Sequence, residues 1–339
     1  MSTIAETGSG PAAPLALALG DPAGIGPEIA AKAWELREAE GLAPFFAVGL
    51  PESLAAVWSG PVEIVGGPDE AAAVFSRALP LIRVDGGGDS LPGHPTLEGA
   101  RNALDSLELA VGLTRSGAAC ALVTGPVSKA QLYAVGFTHP GQTEFVAERC
   151  GIAGDMVAMM LAGPTLRTVP VTTHIALKDV PAAVTTELIV QRGRTTIRGL
   201  KRLFGIKRPR IAVAGLNPHA GEDGALGREE IDIVIPAIER LREEDAEVSG
   251  PLAADTMFHA RMRATYDAAL CLYHDQALVP LKTLHFDEGV NITLGLPIVR
   301  TSPDHGTAFA IAGRNVAEPG AMIAALRLAS DCARRLAAA

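Results

Sequence analysis

Three histidines sit where apolar, strand-like runs turn polar. His174 follows Val169-Pro170-Val171-Thr172-Thr173, His219 follows Ile211-Ala212-Val213-Ala214-Gly215-Leu216-Asn217-Pro218, and His274 follows Leu270-Cys271-Leu272-Tyr273. A neutral imidazole is a common transition-metal ligand, and a catalytic site keeps three protein ligands and an open position for substrate. The pattern predicts one metal centre assembled from distant parts of the chain. Thr173, Asn217 and Asp275 are placed to orient the rings. One histidine in such a setting is more often a hydrogen-bonded core residue, so the argument rests on three equivalent placements. His94, His139, His259 and His285 fall in loops or on helical surfaces, and His305 belongs to a separate motif.

Just beyond His274 come Lys282, Asn291 and Arg300. An arginine fork grips phosphate or carboxylate through two parallel bonds, and a lysine acts as a point charge. The alternative for either is ordinary surface charge. Asp255 and Asp275 are the candidates for a proton-accepting group, although Asp255 serves equally well as a helix cap. The turn Gly20-Asp21-Pro22-Ala23-Gly24-Ile25-Gly26 precedes a helix marked by Pro27 and Glu28. Its backbone N–H groups could face an anion, or the glycines could serve only a tight turn.

The elements that must carry these residues alternate between strand and helix. Strands are expected at Leu15–Leu19, Phe45–Leu50, Val62–Val65, Ala119–Thr124, Met156–Leu161 and Arg167–Thr172. Helices are expected over Pro27–Glu38, Glu52–Trp58, Glu98–Ser116, Thr185–Phe204, Asp232–Glu244 and Ala321–Ala338, with Asp85–Pro95 as a loop. That alternation implies an α/β fold built on a mostly parallel sheet.

Composition narrows the function. The chain has 339 residues, 48% of them hydrophobic, which suits two globular domains. A net charge of −9 leaves no basic footprint for nucleic acid, though local Lys and Arg can still bind a small anion. Cys120, Cys150, Cys271 and Cys332 are scattered without metal or disulfide spacing and read as free thiols. No apolar run reaches membrane-spanning length, and residues 1–13 read as a disordered tail without signal-peptide character. The expectation is a cytoplasmic protein.

Longer motifs carry a resemblance. Gly20–Glu28, Thr124-Gly125-Pro126-Val127-Ser128-Lys129, Leu216–Glu222, Tyr273-His274-Asp275-Gln276 and Gly289–Pro297 together resemble the 4-hydroxythreonine-4-phosphate dehydrogenase family. The likeness runs from Leu15 to the end of the chain. Gly24-Ile25-Gly26-Pro27-Glu28, and His305-Gly306-Thr307-Ala308 with Arg314-Asn315, also look like the nucleotide-side signatures of isopropylmalate and isocitrate dehydrogenases.

The resemblance implies a two-domain isopropylmalate/isocitrate dehydrogenase-like subunit. Residues 14–125 plus 303–339 would form one domain and 126–302 the other. It also implies a homodimer with active sites at the interface, His174 and His219 coming from one subunit and His274 from its partner. The implied metal is a single Zn, Mg, Co or Mn ion on these histidines. Gln142, Thr143, Lys282, Asn291 and Arg300 would contact a small phosphorylated hydroxy amino acid. NAD or NADP would lie near Gly24, Gly26, His305, Gly306 and Asn315. Two positions depart from the family pattern: Gln142 stands where many members have His, and Ala277 stands where Gly is more usual.

The implied reaction is oxidation of 4-phosphohydroxy-L-threonine at its C3 hydroxyl, then decarboxylation to 3-amino-2-oxopropyl phosphate, in vitamin B6 biosynthesis. Related family members oxidise 4-phospho-D-threonate, 4-phospho-D-erythronate or aromatic cis-dihydrodiols. Outside that chemistry, three histidines with an open position also describe a hydrolytic metal site, and a non-catalytic metal-binding protein is the third reading.

Overall fold

The protein is described here by a computed structural model covering residues 13–86 and 91–338. The expected tail falls outside the described residues except for its last position. Twelve strands form one continuous sheet: β1 (Leu15–Ala18), β2 (Phe45–Gly49), β3 (Val62–Ile64), β4 (Leu79–Arg83), β5 (Leu122–Thr124), β6 (Ala158–Ala162), β7 (Arg167–Pro170), β8 (Arg210–Ala214), β9 (Glu247–Leu252), β10 (Ala268–Cys271), β11 (Val290–Leu294) and β12 (Arg300–Pro303). Their order is β3-β4-β2-β1-β5-β12-β11-β6-β7-β10-β8-β9. Pairing is parallel except where β11 meets β12 and β6, and where β6 meets β7. The mostly parallel α/β reading is what the structure shows.

Strands with both faces covered read as unbroken apolar runs. β1, β2 and β10 are buried at every position, which is why Leu-Ala-Leu-Ala and Phe-Phe-Ala-Val-Gly stood out in the sequence. Flanking helices start at capping residues. Thr96 accepts from the Gly99 N–H at the head of Leu97–Arg115, and Thr185 accepts from the Leu188 N–H at the head of Thr186–Phe204. The second of these helices ends at Gly205 with φ of 70°, a left-handed position that glycine adopts without a Cβ clash.

The two chain ends are tied together. Glu28, almost wholly buried, accepts from the Ala317 N–H and from Lys32, and Lys32 donates in turn to the Ala317 carbonyl. The Thr301 hydroxyl, on β12, donates to the Ala325 carbonyl of the closing helix Gly320–Ala338. The helix carrying Glu28 and the helix Gly320–Ala338 therefore share one core.

Sequence patterning misses several elements, and proline sits inside three of them. β4 contains Pro80, the edge strand β9 contains Pro251, and the helix His274–Leu284 contains Pro280. An edge strand tolerates proline because one row of its N–H groups has no partner. The helix expected over Asp232–Glu244 is shorter: a π-turn at Glu230–Val234 leads into Ile235–Leu241. Among the described residues no helix is long and apolar enough to cross a membrane.

Candidate active site

Histidines 174, 219 and 274 leave three neighbouring strands, β7, β8 and β10. His174 and His219 both adopt left-handed backbone, with φ of 53° and 52°. Non-glycine residues rarely adopt it, and it concentrates at functional sites. Ala220, Glu222 and Asp223 share it, so the whole loop after β8 is wound against its intrinsic preference. Buried Glu230 holds that loop in place. Its Oε1 accepts from the Leu216 and Asn217 N–H groups at 2.7 Å each, and its Oε2 accepts from Asn217 Nδ2 at 2.9 Å.

His274 opens the helix His274–Leu284. Two residues on, Gln276 accepts from the Leu272 N–H at 2.7 Å and donates to the Gly215 carbonyl at 2.8 Å. It locks the end of β10 to the end of β8. The neighbouring Asp275 lies 2.7 Å from His274 Nδ1, and Glu222 lies 2.5 Å from His219 Nδ1. A carboxylate on one ring nitrogen fixes the tautomer and leaves Nε2 free to ligate. Burial, then the charges of Lys129 and His274, push His174 below the usual imidazole range, which favours the neutral, metal-binding form. The hydrogen bond to Glu222 pushes His219 up.

Within one chain His174 and His274 come together, their ring centroids 5.5 Å apart. Two imidazoles on one tetrahedral ion, with metal–nitrogen bonds of about 2.0–2.1 Å, would have centroids about 5 Å apart. The pair therefore fits a shared divalent ion. His219 does not join them, and among the described residues no three His, Cys, Asp or Glu side chains gather as a metal site. The resemblance paired His174 with His219 instead. Asp255 is exposed near His219 and away from the cleft, whereas Asp275 serves the His274 ring.

The histidine pair lines a cleft of about 510 Å³ together with Gln142, Thr143, Lys282, Asn291 and Arg300. Arg300 lies at the start of β12 and is 3% exposed. It donates to Thr124 Oγ1 at 2.7 Å, to Thr293 Oγ1 and Gln142 Oε1 at 3.3 Å, and to Thr143 Oγ1 at 3.5 Å. Among the described residues no carboxylate pairs with it, and its Nε is buried without a partner. Burial pushes the guanidinium down to about 10. Asn291 Oδ1 is likewise buried and unpartnered, and Lys282 pairs with Asp304 at 3.1 Å. Four neutral oxygens therefore surround a buried cation that pairs with no carboxylate among the described residues.

The turn after β1 meets the segment that follows β12. Ile25 donates to the Thr307 carbonyl, and a Cβ on Gly24 would come within 3.0 Å of that oxygen. His305 and Gly306 line the cleft, while Gly26 packs against Leu19 and Asn315 takes a left-handed φ of 58°. The two segments read as nucleotide-side are adjacent in space. Lys129, Glu144, Arg192 and Asp304 also line the cleft, and no role was expected of them. Lys129 ends a motif already noted and Glu144 follows Gln142 and Thr143, but nothing in their spacing marks them as facing a cavity.

Comparison with known proteins fits this geometry. Residues 47–329 match the family model described as pyridoxal phosphate biosynthetic protein PdxA. The chain belongs to that family. A curated PdxA relative, the 4-hydroxythreonine-4-phosphate dehydrogenase of Zymomonas mobilis, is 57% identical over 320 residues, covering 94% of this chain and 96% of its own. The crystal structure of the Klebsiella pneumoniae 4-hydroxythreonine-4-phosphate dehydrogenase superposes with a TM-score of 0.84 at 37% identity, covering 95% of this chain and 99% of that one. A terephthalate 1,2-cis-dihydrodiol dehydrogenase from Burkholderia xenovorans superposes at 0.64 with 29% identity, covering 94% and 98%. As a PdxA family member the chain is a dehydrogenase of pyridoxal phosphate biosynthesis.

Proposed function

We propose that the chain oxidises 4-phosphohydroxy-L-threonine at its C3 hydroxyl with NAD or NADP as acceptor, the product then losing CO₂ to give 3-amino-2-oxopropyl phosphate. The observation that carries the reading is Arg300, a buried guanidinium that pairs with no carboxylate among the described residues, at the wall of a polar cleft. An anionic substrate supplies the missing charge.

Arg300 and Lys282 attract the phosphate and carboxylate, and Asn291, Gln142 and Thr143 fix their orientation by hydrogen bonds. His174 and His274 would hold a divalent ion whose Lewis acidity acidifies the C3 hydroxyl. The 5.5 Å approach of these two rings within one chain supports His219, rather than His274, as the imidazole supplied by a second subunit. An apolar cavity of about 310 Å³ behind the pair, rimmed by Ile175, Leu177 and Tyr273, supports a subunit contact there. Gly24, Gly26, His305, Gly306 and Asn315 form the wall that would face the nicotinamide nucleotide, which supplies the two-electron acceptor. Asp275 orients the His274 ring and Asp255 stands beside His219, so neither is placed as the general base.

The test is NADH formation by metal-loaded protein given 4-phosphohydroxy-L-threonine, with and without a chelator. Turnover abolished by the chelator is the expected result. NADH formation that persists after complete metal removal would sink the metal assignment, and none in either condition would sink the substrate.

A further inference from the structure

The cleft is lined by four cations, Lys129, Arg192, Lys282 and Arg300, and by two carboxylates, Glu144 and Asp304. Asp304 is committed to Lys282, at 3.1 Å. Glu144 is half-buried in the first turn of the helix Gln142–Arg149, and among the described residues it forms no hydrogen bond and no ion pair. A Cβ added to Gly141 would lie 3.3 Å from Glu144 Oε2 and 3.7 Å from Lys129 Nζ. The two opposite charges thus both lie close to Gly141, yet they do not pair. Glu144 is also close enough for its charge to act on His174, Arg192 and Arg300.

This arrangement is incomplete for the free protein and complementary to one kind of ligand. The anionic groups of a phosphorylated amino acid have several cations to meet. Its single cation, the α-ammonium, enters a cleft where like charges dominate, and such a group is repelled unless a carboxylate receives it. Asp304 already faces the Lys282 charge, although its Oδ2 forms no hydrogen bond among the described residues. Glu144 is adjacent in sequence to Gln142 and Thr143, which face Arg300, so a ligand held by Arg300 lies alongside it.

We propose that Glu144 receives the α-ammonium of the substrate and is the residue that separates an amino acid from the matching hydroxy acid. The inference rests on the substrate reading above. 4-Phospho-D-threonate carries a hydroxyl where 4-phosphohydroxy-L-threonine carries its ammonium. A hydroxyl can donate a hydrogen bond to the Glu144 carboxylate but brings no charge, whereas the ammonium donates one and also neutralises the carboxylate.

The experiment compares kcat/KM for the two substrates in metal-loaded wild type and Glu144→Gln, with calorimetric binding of inorganic phosphate as a check on the remainder of the cleft. The expected result is a fall of about 10- to 100-fold in the preference for the amino acid, appearing mainly in KM, from the loss of one charged hydrogen bond. Phosphate binding should match wild type. Equal loss on both substrates with phosphate binding intact would overturn the proposal. Should Glu144→Gln lose phosphate binding as well, Glu144→Asp decides: with the carboxylate kept, the preference for the amino acid should be retained, and a preference lost to the same extent in both folded variants overturns the proposal. Wild type that turns over neither substrate is a failure of the substrate reading, and is visible before any variant is made.

Discussion

Arg300 Nη2 donates to Thr124 Oγ1 at 2.7 Å, joining the first residue of β12 to the last residue of β5 at the wall of the cleft. The bond is between a cation and a neutral hydroxyl. Thr293, Gln142 and Thr143 add only neutral oxygens around the same guanidinium. Such an arrangement stabilises the charge by dipoles and leaves it unneutralised until an anion arrives.

Arg300→Lys should therefore lower kcat/KM by about 100-fold or more, consistent with about 2–5 kcal/mol for disrupting a buried charged contact. A lysine cannot reproduce the fork that reaches Thr124 and Gln142 together. Inorganic phosphate should raise the melting temperature of wild type and have a much smaller effect on the variant, which differential scanning fluorimetry would read. An equal phosphate shift in both proteins would place the anion elsewhere.

The carboxylates behind the histidines should tune metal affinity. Asp275→Asn and Glu222→Gln each remove a charged partner from a ring Nδ1. Each is expected to weaken metal binding about 10- to 100-fold, measured by competition with a chelator of known affinity. Affinity equal to wild type in both variants would show that these rings are not the ligands.

If the chain forms the proposed dimer, mixed dimers can decide whether a histidine crosses the subunit boundary, and which one. If His174 and His274 act from one chain and His219 from the other, mixing inactive His219→Ala with inactive His274→Ala rebuilds one intact site per heterodimer, and activity returns to about a quarter of wild type. Mixing His174→Ala with His274→Ala should restore nothing. Recovery in that second mixture would instead pair His174 with His219, and recovery in neither would place all three in one chain.

How much of this was legible depends on what each residue needed in order to be seen. His174 and His274 were visible because each ends a buried run, and the parallel pairing of β7 with β10 brings them together. Arg300 and Asn291 were visible as chemistry but not as neighbours. The antiparallel turn of β11 onto β12, which sets Asn291 opposite Ser302, is hidden by runs too short to show a period. The helix that begins at His274 was masked by Pro280, and β9 by Gly250-Pro251. Glu144, Lys129 and Glu230 escaped notice for another reason. Residue type does not say whether a charge is paired, and that is what distinguishes a solvated glutamate from Glu144 or from the loop anchor Glu230.

Acid stability should depend on Asp267. Burial alone would raise its carboxyl, but bonds from Arg210 outweigh that and hold it below the usual carboxylate range. Asp267 accepts from the Arg210 N–H at 2.8 Å and from its guanidinium at 2.9 Å, joining the start of β8 to the residue before β10. A depressed native value means that the unfolded chain binds the proton more readily, so this contribution is present above the unfolded value of about 3.9 and is lost as pH falls through the native one. Asp267→Asn should destabilise the protein by about 1–3 kcal/mol at neutral pH. In urea titrations from about pH 7 to about pH 3, the gap between wild type and variant should narrow below about pH 4. A gap that stays constant across the range would show that Arg210 does not hold this carboxyl ionised.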